Sequence, residues 1–109
     1  MTIFHILDRN DWEQAKQFGF LSSDSLIRDG FIHCCTKEQI DFVLDRWFPG
    51  NGETIIIKID SEKLESPVVF EKSEIDQAPF PHVYGIINLD AVVTVDQPKR
   101  SRNGKNGQD

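Results

Sequence analysis

The sequence predicts a single α+β domain with a bent, split and mainly antiparallel β-sheet and two main helices. Three observations predict this class. At 109 residues the chain has enough surface to bury only one core. Two helical patterns come early, and several β-branched runs follow without the regular strand–helix alternation of a doubly wound sheet. We expect the domain to span residues 1–95 and residues 96–109 to be a disordered polar tail.

The first third of the chain predicts a strand, a helix, a polar connection and a second strand. Residues 2–7 are apolar and strand-like. Asn10 as N-cap, with Glu13 three residues later, predicts a helix over 11–18 that ends before Gly19. Residues 20–30 are predicted to be a polar connection with room for one helical turn, and residues 31–35 the next strand.

The second helix is the clearest one in the sequence. Thr36 is its predicted N-cap, and Gln39 stands where the partner in a capping box belongs. The apolar residues at helical spacing are Ile40, Val43, Leu44 and Trp47. The turn-forming residues 49–52 end this helix.

The remaining strands are predicted from β-branched runs and the turns between them. Residues 54–59 show no polar alternation until Lys58, which predicts a central strand covered on both faces. The other elements are, in order, a turn of helix over 60–64, a strand over 68–70, an acidic loop over 71–79, a strand over 82–87, a turn over 88–90 and a strand over 91–95.

The charge is unevenly distributed. The net charge is −6, and the tail from Asp96 carries +2, which leaves −8 on the body. An acidic body argues against a broad nucleic-acid surface, because contacts to phosphates supply most of that affinity. The basic tail is the one segment suited to RNA, although a solvated chain end is the simpler interpretation.

Composition also predicts the compartment. No apolar run approaches the roughly 20 residues that span a membrane, and polar residues interrupt the N-terminus too early for a secretory signal. We therefore expect a cytoplasmic protein. Cys34 and Cys35 are adjacent, a spacing that strains a disulfide, so reduced and partly buried thiols are predicted.

The three histidines are the strongest indication of function. His5, His33 and His82 each lie in a short apolar, strand-like run. Histidine is costly to bury unpaired and titrates near neutral pH. A fold that brings these strands together would put three imidazoles in one cleft. Strand alternation gives His33 the same face as Cys35, and His82 the same face as Tyr84.

Several interpretations of these histidines are open from the residues alone. Each ring could simply bond a backbone carbonyl within a sheet. Three histidines with an open position could form a hydrolytic zinc centre, although no motif contains a close histidine pair or a companion carboxylate. His33 could activate Cys35, but i, i+2 neighbours on a strand lie roughly 6.5–7 Å apart at Cα, which is long for direct activation.

A fourth interpretation comes from a resemblance. The runs F-H-I-L, D-G-F-I-H-C-C-T and F-P-H-V-Y-G-x-x-x-L-D-A-V resemble the bacterial family called Domain of Unknown Function 952, over residues 2–95. That family is similar in fold to the ADP-ribosyltransferase superfamily, which includes the tRNA 2′-phosphotransferases. The resemblance implies a split, bent sheet with a cleft for NAD or a related ADP-ribosyl ligand.

The resemblance also implies roles for individual residues. His5 falls where the cofactor ribose is bonded, and His33 lies near its nicotinamide or pyrophosphate end. His82 with Tyr84 would form the reacting centre, as acid and base or as a clamp. Arg28 and Thr36 complete the implied cofactor site, and basic residues also flank the motifs at Arg9 and Lys37.

Two residues of this chain differ from the residues expected by resemblance, and both differences affect the expected activity. Cys35 stands where the family usually has a hydroxyl, which is a better hydrogen-bond group. His82 stands where many active transferases have a glutamate, so the carboxylate that stabilises positive charge on the ribose is expected to be missing. The resemblance therefore implies that the protein binds such a ligand. If the protein is an enzyme, the resemblance implies that it transfers or hydrolyses this ligand. The alternatives are a non-catalytic nucleotide or metabolite module with a degenerate pocket, and the zinc hydrolase.

Overall fold

Eight strands form three small antiparallel sheets in the part of the chain that the computed structural model describes, residues 1–50, 52–72 and 78–98. The strands are β1 Thr2–Asp8, β2 Phe20–Leu21, β3 Ile32–His33, β4 Thr54–Asp60, β5 Val68–Lys72, β6 Pro79–Val83, β7 Ile87–Asn88 and β8 Val92–Asp96. The α-helices are α1 Arg9–Phe18, α2 Asp24–Asp29 and α3 Ile40–Trp47. The predicted α+β class and antiparallel pairing are confirmed, and α2 adds a short third helix.

The largest sheet has the order β1-β4-β8. Its centre is β4, as its β-branched sequence predicts, and Ile55, Ile57 and Ile59 point from it into the main core. Seven residue pairs join β1 to β4, with His5 opposite Ile57. The other edge of β1 faces the rest of the molecule, and this edge positions the first histidine.

The other two sheets are built from short strands. One pairs β2 with β7, and the other has the order β3-β6-β5. In the second of these, His33 lies directly opposite His82. The large sheet and the β3-β6-β5 sheet meet where Phe4 N–H donates to the Cys35 carbonyl at 2.8 Å and Cys35 N–H donates back to Phe4 at 2.7 Å.

The apolar interior has two parts, which lie on opposite sides of this meeting point. The main cluster contains Ile32 and Cys34 together with the β4 isoleucines. A second cluster contains Ile6, Cys35 and Leu44. Consecutive residues of the segment 31–35 therefore enter different clusters, because successive side chains of an extended chain point in opposite directions.

The predicted start of the first helix is wrong. Helix α1 begins at Arg9 with Asp8 as N-cap, and no side chain caps it. The Arg9 N–H instead donates to the Glu53 carbonyl at 2.9 Å. A neighbouring backbone segment satisfies this amide, so the predicted Asn10–Glu13 capping box does not form. At the other end Gly19 has φ of 87° and closes the helix as predicted.

The capping box of the second predicted helix is confirmed. Thr36 N–H donates to Gln39 Oε1 at 2.9 Å. The first turn, Lys37–Gln39, is a 3-10 helix that continues directly into α3. Leu44 faces the second apolar cluster as predicted, but Trp47 at the end of the helix stays 56% exposed.

The late strands differ from their predicted bounds. β5 extends to Lys72, so Glu71 belongs to a strand that pairs with β6 and not to an acidic loop. β6 begins at Pro79 and ends at Val83, where the chain turns before β7. β8 ends at Asp96, and residues 99–109 of the predicted polar tail lie outside the described residues.

The turn after β6 contains a close approach that only glycine allows. Gly85 has φ of 154°, and a Cβ built on it would clash with Ser66 Oγ. Ser66 Oγ itself donates to the Ile86 carbonyl at 2.7 Å, and Tyr84 N–H donates to the Pro67 carbonyl at 2.9 Å. The segment before β5 and the turn after β6 are thereby fixed against one another.

Within the described ranges, no helix has the length and apolar character needed to cross a lipid bilayer.

Truncating the centre of β4 should destabilise the whole domain. Ile57 is fully buried, so Ile57→Ala is expected to lower the free energy of unfolding by about 2–5 kcal/mol through lost burial and a residual cavity. Val93 on the edge strand is 55% exposed, and Val93→Ala is expected to change it by at most about 0.5 kcal/mol. Urea titration followed by circular dichroism measures both. Equal losses would contradict this description of the core.

Candidate functional site

A cleft of about 680 Å³ lies beside the contact between β1 and the segment 31–35. Its walls come from β1, α2, α3 and the β3-β6 strand pair. His5, His33 and His82 all line it. The structure therefore brings together side chains that are up to 77 positions apart in the sequence.

His5 lies in β1 and is 8% exposed. Its Nδ1–H donates to the His33 carbonyl at 2.7 Å. Burial lowers the pKa of the His5 ring to about 4, and this effect outweighs the opposing effect of that hydrogen bond. The ring is therefore neutral at pH 7. Its Nε2 carries a lone pair and has no hydrogen-bond partner among the described residues.

His33 occupies the exposed rim. Its Nε2–H donates to Asp29 Oδ2 at 3.1 Å, and its side chain is 54% exposed. Asp29 also accepts from Arg28 Nη2 at 3.1 Å. The bonds from His33 and Arg28 lower the pKa of the Asp29 carboxyl, which keeps it charged. Cys35, the predicted same-face neighbour of His33, also lines the cleft and packs in the second apolar cluster.

His82 is the most constrained of the three rings. Its Nδ1–H donates to Glu71 Oε1 at 2.7 Å. The Tyr84 hydroxyl donates to the same oxygen at 2.5 Å. These bonds, first from Tyr84 and then from His82, lower the pKa of Glu71, and the contact with Glu71 raises the pKa of Tyr84. Neither Glu71 nor Tyr84 is part of the cleft wall.

Phe31 joins His33 and His82 into one aromatic group. Its ring stacks on His82 with centroids 3.9 Å apart and planes 13° from parallel. It meets His33 edge-on at 4.8 Å, and the His33 and His82 rings are 5.4 Å apart. The planes of these three rings are thus fixed by one another.

Sequence reasoning missed the two carboxylates that bond His33 and His82. Asp29 stands four residues before His33, within the motif that carries the resemblance, so its spacing was visible. The sequence predicts a loop at Glu71, and the contact of Glu71 with His82 depends on the pairing of β5 with β6. The statement that no motif contains a companion carboxylate is therefore wrong for His33, whose partner Asp29 lies within its motif. The partner of His82, Glu71, lies outside the motif of that histidine.

Other predicted residues lie elsewhere or make other contacts. Arg28 lines the cleft, whereas Thr36 caps the helical segment and is not part of the wall. Arg9 and Lys37 are also outside the wall, and Arg9 pairs with Glu53 at 2.8 Å. Lys72 is a cleft cation that the sequence did not single out.

The thiols do not form a nucleophilic pair with histidine. Cys34 and Cys35 are free and buried. Burial raises the pKa of Cys34, and it raises the pKa of Cys35 to about 12. The thiolate is the reactive form, so both groups are inert at neutral pH. In the two clusters these side chains pack as small apolar groups.

One end of the cleft is acidic. Asp8, Asp11 and Asp24 contribute to its wall. Partial burial, then the charges of Asp8 and Asp24, raise the pKa of Asp11. Within residues 1–50, 52–72 and 78–98, no three His, Cys, Asp or Glu side chains are arranged to hold a metal ion.

Folding stability should depend on pH through His5. Between the ordinary pKa of 6.5 and the folded value of about 4, the unfolded chain binds a proton that the folded ring excludes. The free energy of unfolding should therefore fall by about 3 kcal/mol as the pH falls from 6.5 to 4 because of this group. His5→Asn keeps a donor for the His33 carbonyl but does not titrate. Urea titrations at several pH values should give a flatter curve for this variant, and parallel curves would contradict the assignment.

Two solved structures of protein CC0527 from Caulobacter crescentus are similar to this chain. The crystal structure aligns with a TM-score of 0.81 at 30% identity, over 89% of this chain and 85% of that one. The solution NMR structure gives 0.76 at 27% identity, over 96% and 95%. No curated protein matches the sequence. The sequence model of the family described as "Protein of unknown function (DUF952)" matches residues 6–95, and the chain therefore belongs to this family.

Proposed function

We propose that this protein binds NAD or a related ADP-ribosyl ligand in the three-histidine cleft. The observation that carries the proposal is the buried, neutral ring of His5. Its Nδ1–H is used by the His33 carbonyl, and its Nε2 acceptor has no partner within the described ranges. An unsatisfied buried acceptor costs free energy, and a ligand hydroxyl that donates to it removes that cost. Ribose supplies such hydroxyls.

The size and lining of the cleft support a ligand with planar rings. A cavity of about 680 Å³ lies in the range of roughly 300–1,000 Å³ that is common for ligand sites. Its aromatic wall side chains are Phe4, Phe31, Phe42, Trp47, Phe48 and Phe80. Aromatic faces of this kind stack on flat heterocycles, which the nicotinamide and adenine ends of NAD provide.

The charged side chains of the cleft wall limit where the phosphates of an anionic ligand can bind. Arg28 and Lys72 are the cations of the described wall, against carboxylates that include Asp11. A pyrophosphate is therefore favoured beside one of these two cations. The ADP-ribosyltransferase-like fold is part of this proposal, supported by the antiparallel sheets and the family resemblance. Fold likeness alone does not carry an activity.

Two other functions make different predictions. A non-catalytic module with the same pocket would bind a nucleotide or metabolite without converting it. A zinc hydrolase would hold stoichiometric metal, and no cluster in the described part of the chain is arranged for that. The cytoplasmic location and possible contacts of the basic tail with RNA stay predictions.

NAD should shift all three histidine rings in an NMR titration, because all three line the cleft. His5→Asn removes the Nε2 acceptor and keeps the donor to the His33 carbonyl. Loss of one hydrogen bond of about 1 kcal/mol should weaken NAD binding about fivefold. Lys63→Ala, on the 3-10 turn after β4, is the control. If no ring shifts saturably, NAD is not the ligand.

Arg28 should contribute more to NAD binding than Arg9. Arg28→Ala removes a cleft cation and is expected to weaken binding about two- to fivefold, less at high salt, because its side chain is exposed. Arg9→Ala is the matched control, since Arg9 lies outside the wall. Calorimetric titration at two salt concentrations measures both. Equal effects of the two substitutions would count against a pyrophosphate at this position.

A further inference from the structure

The bond between His82 and Glu71 fixes which nitrogen carries the proton. Glu71 Oε1 is an acceptor, because its carboxyl is charged at neutral pH. The neutral His82 ring must therefore hold its hydrogen at Nδ1, 2.7 Å from that oxygen. Nε2 is left with a lone pair, and no described residue bonds it. A carboxylate behind an imidazole is the usual way to set this tautomer.

The orientation of the ring is fixed as well. Phe31 covers one face of His82 at 3.9 Å, and the His82 side chain is 10% exposed. Tyr84 holds the shared Glu71 oxygen from another direction. Because His82 lines the cleft and Glu71 does not, the hydrogen bond lies behind the ring and the opposite nitrogen is left for the cleft.

His33 differs from His82 in each of these respects. Its ring is half-exposed, and its Nε2 is occupied by Asp29, which also bonds Arg28. Among the described residues, His82 is thus the histidine that combines a buried ring, a carboxylate partner at Nδ1 and an Nε2 without a hydrogen-bond partner. His5 shares the free Nε2 but has a neutral carbonyl as its partner, which cannot compensate an added positive charge.

We propose that His82 is a general base that takes a proton at Nε2, and that Glu71 is its positioning residue. In this step an O–H bond of water or of a ligand hydroxyl breaks, and the proton moves to Nε2. The electron pair stays on the oxygen, which becomes the nucleophile. Glu71 remains ionised and compensates the charge of the imidazolium.

With NAD, which rests on the proposed function, the step completes a hydrolysis. The water oxygen bonds to the ribosyl carbon that carries nicotinamide. The carbon–nitrogen bond breaks, and its electron pair neutralises the departing pyridinium. Products are ADP-ribose and nicotinamide, with the proton passing from His82 to solvent. The Glu71 carboxylate would thus act through His82.

The first test is the tautomer of His82, read from the ring nitrogen resonances at the high-pH end of its titration. The wild-type protein is expected to show protonated Nδ1 and unprotonated Nε2. Glu71→Gln should shift the ring towards the other tautomer, whereas Glu53→Gln, an exposed carboxylate paired with Arg9, should not. A purely structural Glu71 would leave the tautomer unchanged. A wild-type ring protonated at Nε2, or no response to Glu71→Gln, overturns the proposal.

The second test is the reactivity of Nε2 from the cleft. Diethyl pyrocarbonate modifies an unprotonated imidazole nitrogen, and peptide mass mapping gives the rate at each histidine. We expect Glu71→Gln to slow modification of His82 by about tenfold, the lower end of the loss in metal affinity or activity that follows removal of such a partner. Equal rates in Glu71→Gln and wild type overturn the proposal. Neither test uses NAD. If NAD does not bind, the proposed function is rejected, whereas the role of His82 is still decided by these two tests.

Discussion

Two backbone hydrogen bonds between Phe4 and Cys35 determine how the rest of the molecule can be arranged. They attach the free edge of β1 to the segment that carries His33, at 2.8 and 2.7 Å. The edge of the large sheet is thereby partly satisfied, and the two sheets that carry the histidines are brought into contact. Without this contact His5 would have no carbonyl partner, and the cleft would lose one wall. An otherwise exposed strand edge thus becomes the joint around which the site forms.

The same joint explains the unusual pair of cysteines. An extended segment that passes between two apolar regions supplies side chains to each in turn. Cys34 fills the main cluster and Cys35 the second one. A hydroxyl at position 35 would need a hydrogen-bond partner among apolar neighbours such as Ile6 and Leu44. In this chain the thiol is compatible with its surroundings because it makes weak demands for hydrogen bonds.

Local signals in the sequence were sufficient for the elements that depend on neighbouring residues. The central position of β4 followed from its β-branched run, and the capping box at Thr36 followed from residue spacing. Asn10 failed as a cap because a distant carbonyl, that of Glu53, satisfied the first amide of α1. Glu71 was missed for the same kind of reason. Its role arises from strand pairing, and residue types along the chain do not specify which side chains a paired strand will bring together.

The close approach of Gly85 to Ser66 has a consequence for mutational surveys of this family. Any side chain there meets Ser66 and also requires a backbone conformation that other residues rarely adopt. Substitution would displace the turn that holds Tyr84 to Pro67 and, through Tyr84, the oxygen shared with His82. In a scan scored by function, position 85 would therefore resemble a reacting residue although it lies outside the cleft wall. Abundance scores measured in parallel are needed to tell a misplaced turn from lost chemistry.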